Sequence, residues 1–234
     1  MTTDSVTFRG NGRRRQQLPE EVASYVRELI ISGRVRPGEF LRMEPIAEAV
    51  EVSNTPVREG LLMLASEGFV RLVPRRGFVV APFTQQDIRD LFWAQAQLAG
   101  ELAARAAKKI TPEQIATLES ILEQFDVAVE RGDTEQVAEL GHAFHRQINL
   151  AADSQRLALV LSSVVKHLPN RFYATIEGHV ESTRNEHPLM VEALRERNVR
   201  KARSITEKHI LEGADHIIAL LEERGLWADQ EPAS

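Results

Sequence analysis

The histidines of this 234-residue chain are unevenly placed, and there is no cysteine at all. All seven histidines fall after residue 140. Without thiols, the chain has no disulfide, no iron–sulfur cluster, no thiolate zinc site and no cysteine nucleophile. A metal must therefore use imidazole, carboxylate or water. His187 and His209 each stand 11 residues from Asn198. If Asn198 breaks an antiparallel helical hairpin, both sit about 16 Å from the turn, level with each other, at a rise of about 1.5 Å per residue. His187 shares a helical face with Val191 and Leu194, His209 with Ile205 and Ala202, and His145 with Phe144 and Ile148. Three inward imidazoles on three helices can converge in a bundle core, a usual place for a metal. Neutral imidazole suits a divalent transition metal, here expected to be Zn or Ni, better than Mg or Ca. His142 lies one turn before His145 and is a fourth candidate ligand. His167, His179 and His216 are read as surface or packing residues.

A second group of residues fits nucleic acid. Ser53, Asn54, Thr55 and Arg58 occupy the first turn of a short predicted helix, in which Thr55 is the expected N-cap and Pro56 the first helical residue. Such a turn can place short polar side chains, a helix N-terminus and one guanidinium against phosphates and base edges. Arg42 lies ahead of the preceding helix. Arg75, Arg76 and Gly77 form the tip of a predicted hairpin, where glycine lets backbone approach DNA closely. The net charge of −5 hides an asymmetry. Residues 1–82 carry 12 Arg against 10 acidic residues, and the rest of the chain carries the negative excess. DNA affinity needs a local basic face rather than a basic protein.

The elements that must position these groups follow from periodicity. Val22, Val26 and Ile30 recur at helical spacing within 18–32, and short helices are expected at 43–50 and from Thr55 to Glu67. Two β-prone runs, 69–73 and 77–81, flank Pro74-Arg75-Arg76-Gly77 as a hairpin. Helical segments are expected at 87–109, 112–131, 134–152, 154–177, 187–197 and 199–224. Breaks fall at Thr111-Pro112, Gly132, Asp153, Gly178 and Asn198. The expected fold is mainly α, an N-terminal winged helix-turn-helix followed by an all-α bundle. Its expected parts are a flexible arm at 1–17, the DNA-binding domain at 18–82, a sensing and dimerisation domain at 83–228 and a tail at 229–234. No apolar run approaches the roughly 18 residues of a membrane span, and Met1 to Gln17 lack the apolar middle of a secretory signal. A cytoplasmic protein with no membrane partner is expected.

Pro37-Gly38-Glu39-Phe40-Leu41, Ile46-Ala47, Val52 to Glu59, Glu67-Gly68-Phe69-Val70 and Arg75-Arg76-Gly77-Phe78 together resemble the GntR family of bacterial repressors over about 18–81. The resemblance implies a regulator that binds double-stranded operator DNA. Where the family has Arg before the Thr-Pro pair, this chain has Asn54. Asn suits bidentate contact with adenine and does not span guanine O6 and N7 as Arg does. An altered operator preference at that base step is expected.

Leu102 to Ala107 followed by Thr111-Pro112, Phe144-His145, His187 and His209 resemble the FadR-type (FCD) sensor domain over about 87–222. That resemblance implies a divalent metal held by an Asp four residues before the Phe-His histidine, by that histidine and by the two later ones. The Asp position is Gly141 here, so His142 or water is expected to take its place. Three or four neutral imidazoles leave the metal's charge uncompensated, which favours an anionic effector, a small organic acid. Where the first sensor helix of the family carries Arg and Glu, this chain has Gln95 and Ala99. Gln95 and Arg171 are the expected effector contacts.

The sequence therefore reads as a homodimeric, effector-controlled repressor of transcription. The second reading is a metal-free dimeric DNA-binding protein whose sensor is vestigial. An enzyme is not expected: there is no His-Glu-x-x-His element and no carboxylate obviously placed as a general base.

Overall fold

The computed structural model describes residues 11–167 and 180–223. The chain divides into two compact units after Phe83.

The first unit opens with α1 (Asn11–Ile31). Residues 11–17, expected as part of a flexible arm, are helical; their Arg and Gln are good helix formers and continue the helix backward from Leu18. Next come β1 (Phe40–Leu41), α2 (Met43–Ala49) and α3 (Asn54–Ser66), then β2 (Val70–Val73) and β3 (Gly77–Val80). Val22, Val26 and Ile30 of α1 are buried, together with Val57, Leu61 and Leu64 of α3. This is the helical stripe expected from their spacing. The two helices lie so close that a Cβ on Gly60 would meet the Pro19 carbonyl oxygen at 2.7 Å. The sheet has the order β1-β3-β2, antiparallel throughout. Sequence pattern gave the hairpin of β2 and β3 but missed β1, which is too short at two residues to show any alternation.

The second unit contains α4 (Gln85–Lys109), α5 (Pro112–Arg131), α6 (Thr134–Ala151), α7 (Gln155–Val165), α8 (Val180–Arg195) and α9 (Val199–Glu223). Helix ends follow local chemistry. Capping boxes of Thr84 with Asp87 and Thr111 with Gln114 start α4 and α5. Gly132, at φ 68°, closes α5 in the left-handed conformation. Asn198 Oδ1 accepts from the Lys201 amide at 3.1 Å at the start of α9. α4 is the central helix and packs against α6, α7, α8 and α9. Its alanines Ala96, Ala99, Ala103, Ala106 and Ala107 are buried and permit close approach, while Leu102, Phe144, Met190 and Leu194 fill the core. The unit is an all-α bundle, as expected, with two differences. α7 ends at Val165, and residues 168–179 lie outside the described residues, so the expected break at Gly178 does too. α8 begins at Val180 instead of 187 and runs through Pro188. A proline inside a helix costs a hydrogen bond, about 3 kcal/mol. Burial of the apolar side chains Met190, Val191 and Leu194 of α8 offsets that cost.

Candidate metal centre and DNA-reading surface

α8 and α9 form the hairpin predicted about Asn198, and the level placement of His187 and His209 follows. Their Nε2 atoms are 3.3 Å apart. His145 reaches the same point from α6, its ring centroid 5.0 Å from that of His187 and 5.3 Å from that of His209. One ligand atom from each of the three lies within 4.8 Å of the other two. Two nitrogens bound to Zn at about 2.0–2.1 Å, at a tetrahedral angle, are about 3.3–3.4 Å apart. The His187–His209 separation matches that span, and three imidazoles are a donor set that fits a transition metal.

The imidazoles are held in place from outside. Phe144 stacks on His187 with centroids 4.1 Å apart and planes 9° from parallel. The Nδ1–H of His209 donates to Glu186 Oε2 at 2.8 Å, which leaves its Nε2 lone pair facing His187. Lys208 Nζ donates to the other oxygen of Glu186 at 3.0 Å. A carboxylate behind a ligating histidine fixes its tautomer and raises its basicity. Glu186 was missed in the sequence because the helix was expected to begin after it.

Burial keeps His145 and His187 neutral. Burial, then the neighbouring His209 and His142, pushes His145 down to about 3. Burial likewise carries His187 well below its ordinary 6.5, and burial lowers His142. The hydrogen bond from His209 holds Glu186 down, at about 2. His145 and His187 thus keep their lone pairs at neutral pH, and Glu186 keeps its charge.

His142 does not join the three. Among the described residues, the nitrogens within reach of one another belong to His145, His187 and His209. On a helix that turns about 100° per residue, position i−4 lies about 40° from residue i on one side and i−3 about 60° on the other. Position i−4 is Gly141, which has no side chain. His142 lines an adjacent cavity of about 780 Å³ instead. Gln95 also lines that cavity and is 3% exposed. Arg171, like His179, lies outside the described residues. α4, α6, α7 and α9 supply the cavity walls, and His145 and His209 open into it.

The first unit carries the other group. Ser53, Asn54, Thr55 and Arg58 are all exposed. The N-cap of α3 is Ser53, not Thr55, and Pro56 is the third helical residue. Ser53 has extended backbone and makes no side-chain capping bond, so its hydroxyl is not spent on its own helix. Arg42, the N-cap of α2, is exposed. At the wing tip Arg75 has φ 64° and Gly77 φ 98°, both in the region that favours glycine. Arg75 and Arg76 are exposed, and the Arg76 guanidinium lies 4.5 Å from the ring centroid of Phe40 on β1.

Residues 18–80 match the bacterial regulatory proteins of the gntR family, and residues 90–212 match the FCD domain. The chain belongs to the gntR-family regulators that carry an FCD domain; it is a DNA-binding transcriptional regulator. It is similar to the HTH-type transcriptional repressor RspR of Escherichia coli strain K12, at 26% identity over 219 residues, 92% of this chain and 96% of that protein. It is also similar to the gluconate operon transcriptional repressor of Bacillus subtilis strain 168, at 26% identity over 217 residues, 90% of this chain and 86% of that one. The solved structure of E. coli McbR/YncC has the same fold, with a TM-score of 0.62 at 22% identity, covering 88% of this chain and 97% of that one. Among the described residues no helix is long and apolar enough to cross a membrane.

Proposed function

We propose that this regulator is a repressor controlled by an organic acid that binds beside a divalent transition metal, with Zn or Ni the expected ion. The observation that carries the reading is the convergence of His145, His187 and His209 at the edge of a cavity of ligand size. His145, His187 and His209 hold the metal; His142 and Gln95 face the ligand. The metal supplies a Lewis-acidic centre for an anionic group. Glu186, behind His209, offsets part of the charge left by the missing carboxylate at Gly141, and an acidic ligand offsets more.

In the first unit, Asn54 and Arg58 read base edges, while Ser53, Thr55 and Arg42 touch phosphates. Arg75, Arg76 and Gly77 form the wing contact. Two copies of the chain read a pseudo-palindrome as a homodimer, because two-fold symmetry in protein and site match. Ligand binding must shift operator affinity by about 1–3 kcal/mol to regulate.

Metal analysis of the purified protein, followed by operator titration of metal-loaded and stripped forms, tests this reading. About one metal per chain is expected, and so is an operator affinity that responds to organic acids only in the loaded form. A chain that takes up neither Zn nor Ni, or an operator affinity indifferent to every acid tried, would sink the sensing role.

A further inference from the structure

The cavity beside the histidines is not uniform. Gln95, Thr206 and His209 bring polar groups from α4 and α9, whereas α7 contributes the apolar Ala158, Leu161 and Val165, with its polar lining residues Gln155 and Ser162 exposed. Phe92 and Ile148 extend that apolar surface. Among the described residues, the fully charged side chains of the lining are Arg146 and Asp153. Arg146 is exposed, and Asp153 pairs with Lys109 at 2.8 Å. Among the described residues of the lining, no buried Lys or Arg faces a second anionic group.

Thr206 points to what the polar part receives. It is 2% exposed, it lines the cavity, and its Oγ1 is buried with no hydrogen-bond partner among the described residues. Threonine hydroxyls in helices commonly bond back to a carbonyl one turn earlier, and this one does not. Thr206 stands one turn before His209 on the same face of α9. A buried hydroxyl left so is costly, and an acceptor on a ligand removes the cost.

We infer that the cavity takes an amphipathic monocarboxylate, its carboxylate beside His209 and accepting from the Thr206 hydroxyl, its apolar body along Ile148, Leu161 and Val165. This rests on the reading of the cavity as the effector site and narrows the class of acid. An alkyl or aryl body gains free energy by leaving water against these side chains. A polyhydroxylated acid would bury hydroxyls against the side chains of Ile148, Leu161 and Val165, which offer them no partners.

Calorimetric titration of the full zinc-loaded chain with octanoate and with gluconate decides between them. Zinc content is measured first. Octanoate is expected to bind at least about tenfold more tightly than gluconate, as burial of several methylenes implies. Thr206→Val, nearly isosteric, is expected to weaken octanoate about tenfold while zinc content stays the same. Gluconate binding as tightly as octanoate, or neither probe binding, overturns the inference. An unchanged octanoate affinity in Thr206→Val overturns the placement of the head. A chain that takes no zinc overturns the metal reading instead, and the same two titrations on the metal-free chain then still decide the class of acid.

Discussion

Glu186 accepts the Nδ1–H of His209 at 2.8 Å, and on the opposite side of that ring the Nε2 of His209 faces the Nε2 of His187 at 3.3 Å. The carboxylate therefore decides which nitrogen of His209 offers a lone pair. Glu186→Gln keeps the shape and removes the charge. Its amide can still accept through oxygen, but it no longer stabilises positive charge at the centre. Zinc affinity, measured by competition with a chelator, is expected to fall about 10–100-fold. An unchanged affinity would mean that Glu186 serves only its ion pair with Lys208.

His145 and His142 separate under the same measurement. His145 contributes a nitrogen to the three-histidine set, and His142 does not. His145→Ala is expected to abolish stoichiometric metal, whereas His142→Ala leaves one metal per chain and changes only the cavity wall. Loss of metal in both variants would restore His142 to the ligand set.

Acid is expected to destabilise the metal-free protein. His145 is held at about 3 in the folded chain, mainly by burial, against an ordinary 6.5, and His187 is lowered in the same direction. Between those values the unfolded chain binds protons that the folded chain refuses, so stability is full above pH 6.5 and falls as pH falls. Each histidine that stays neutral contributes a slope of about 1.4 kcal/mol per pH unit in that window. Glu186, held down at about 2, adds a loss of the same sign below its ordinary 4.5. The melting temperature of the metal-free chain should drop steadily from pH 7 to pH 5. A flat profile would show that the histidines titrate freely in the folded state.

The histidine cluster was legible in the sequence because it rests on one symmetric relationship. His187 and His209 lie equally far from Asn198, and a helical hairpin converts equal sequence distance into spatial proximity. Glu186 was not legible, for a reason shared with the start of α1. The helical readings began at Leu18 and His187, each one residue before a proline. Both helices run through that proline toward the N-terminus. Local propensity treats proline as a boundary, but in α8 the apolar and polar stripe on its buried face holds the helix together across it. The departure of His142 from the cluster was also hidden. Positions i−3 and i−4 look equivalent in a list of spacings, but they lie on opposite sides of residue i around the helix.

Gly60 tests the packing of α1 against α3. A methyl group there would meet the Pro19 carbonyl oxygen at 2.7 Å and Val22 Cβ at 2.9 Å. Backbone cannot swing aside as a side chain can. Gly60→Ala gains helix propensity in α3 but must push α1 away, so a net destabilisation of about 1–3 kcal/mol is expected. Thermal unfolding of the variant should show the loss, and it should weaken operator binding by mispositioning α3. A variant as stable as the parent would mean that α1 shifts at no cost.

Asn54 carries the sharpest prediction for the DNA-reading surface. It is exposed in the first turn of α3, where the family resemblance expects arginine. Asparagine can pair bidentately with adenine N6 and N7; arginine pairs with guanine O6 and N7. Asn54→Arg should therefore shift preference at one base step in each half-site from adenine toward guanine, by about 1–3 kcal/mol of discrimination. Arg58→Ala should relax preference at one position, because Arg58 reads a base edge; a loss equal across all operators would assign it to a phosphate instead. Selection of operators from a random pool by the parent chain and by Asn54→Arg would measure the switch directly. Identical selected sequences would remove Asn54 from the reading surface and leave the specificity to Arg58 and the wing.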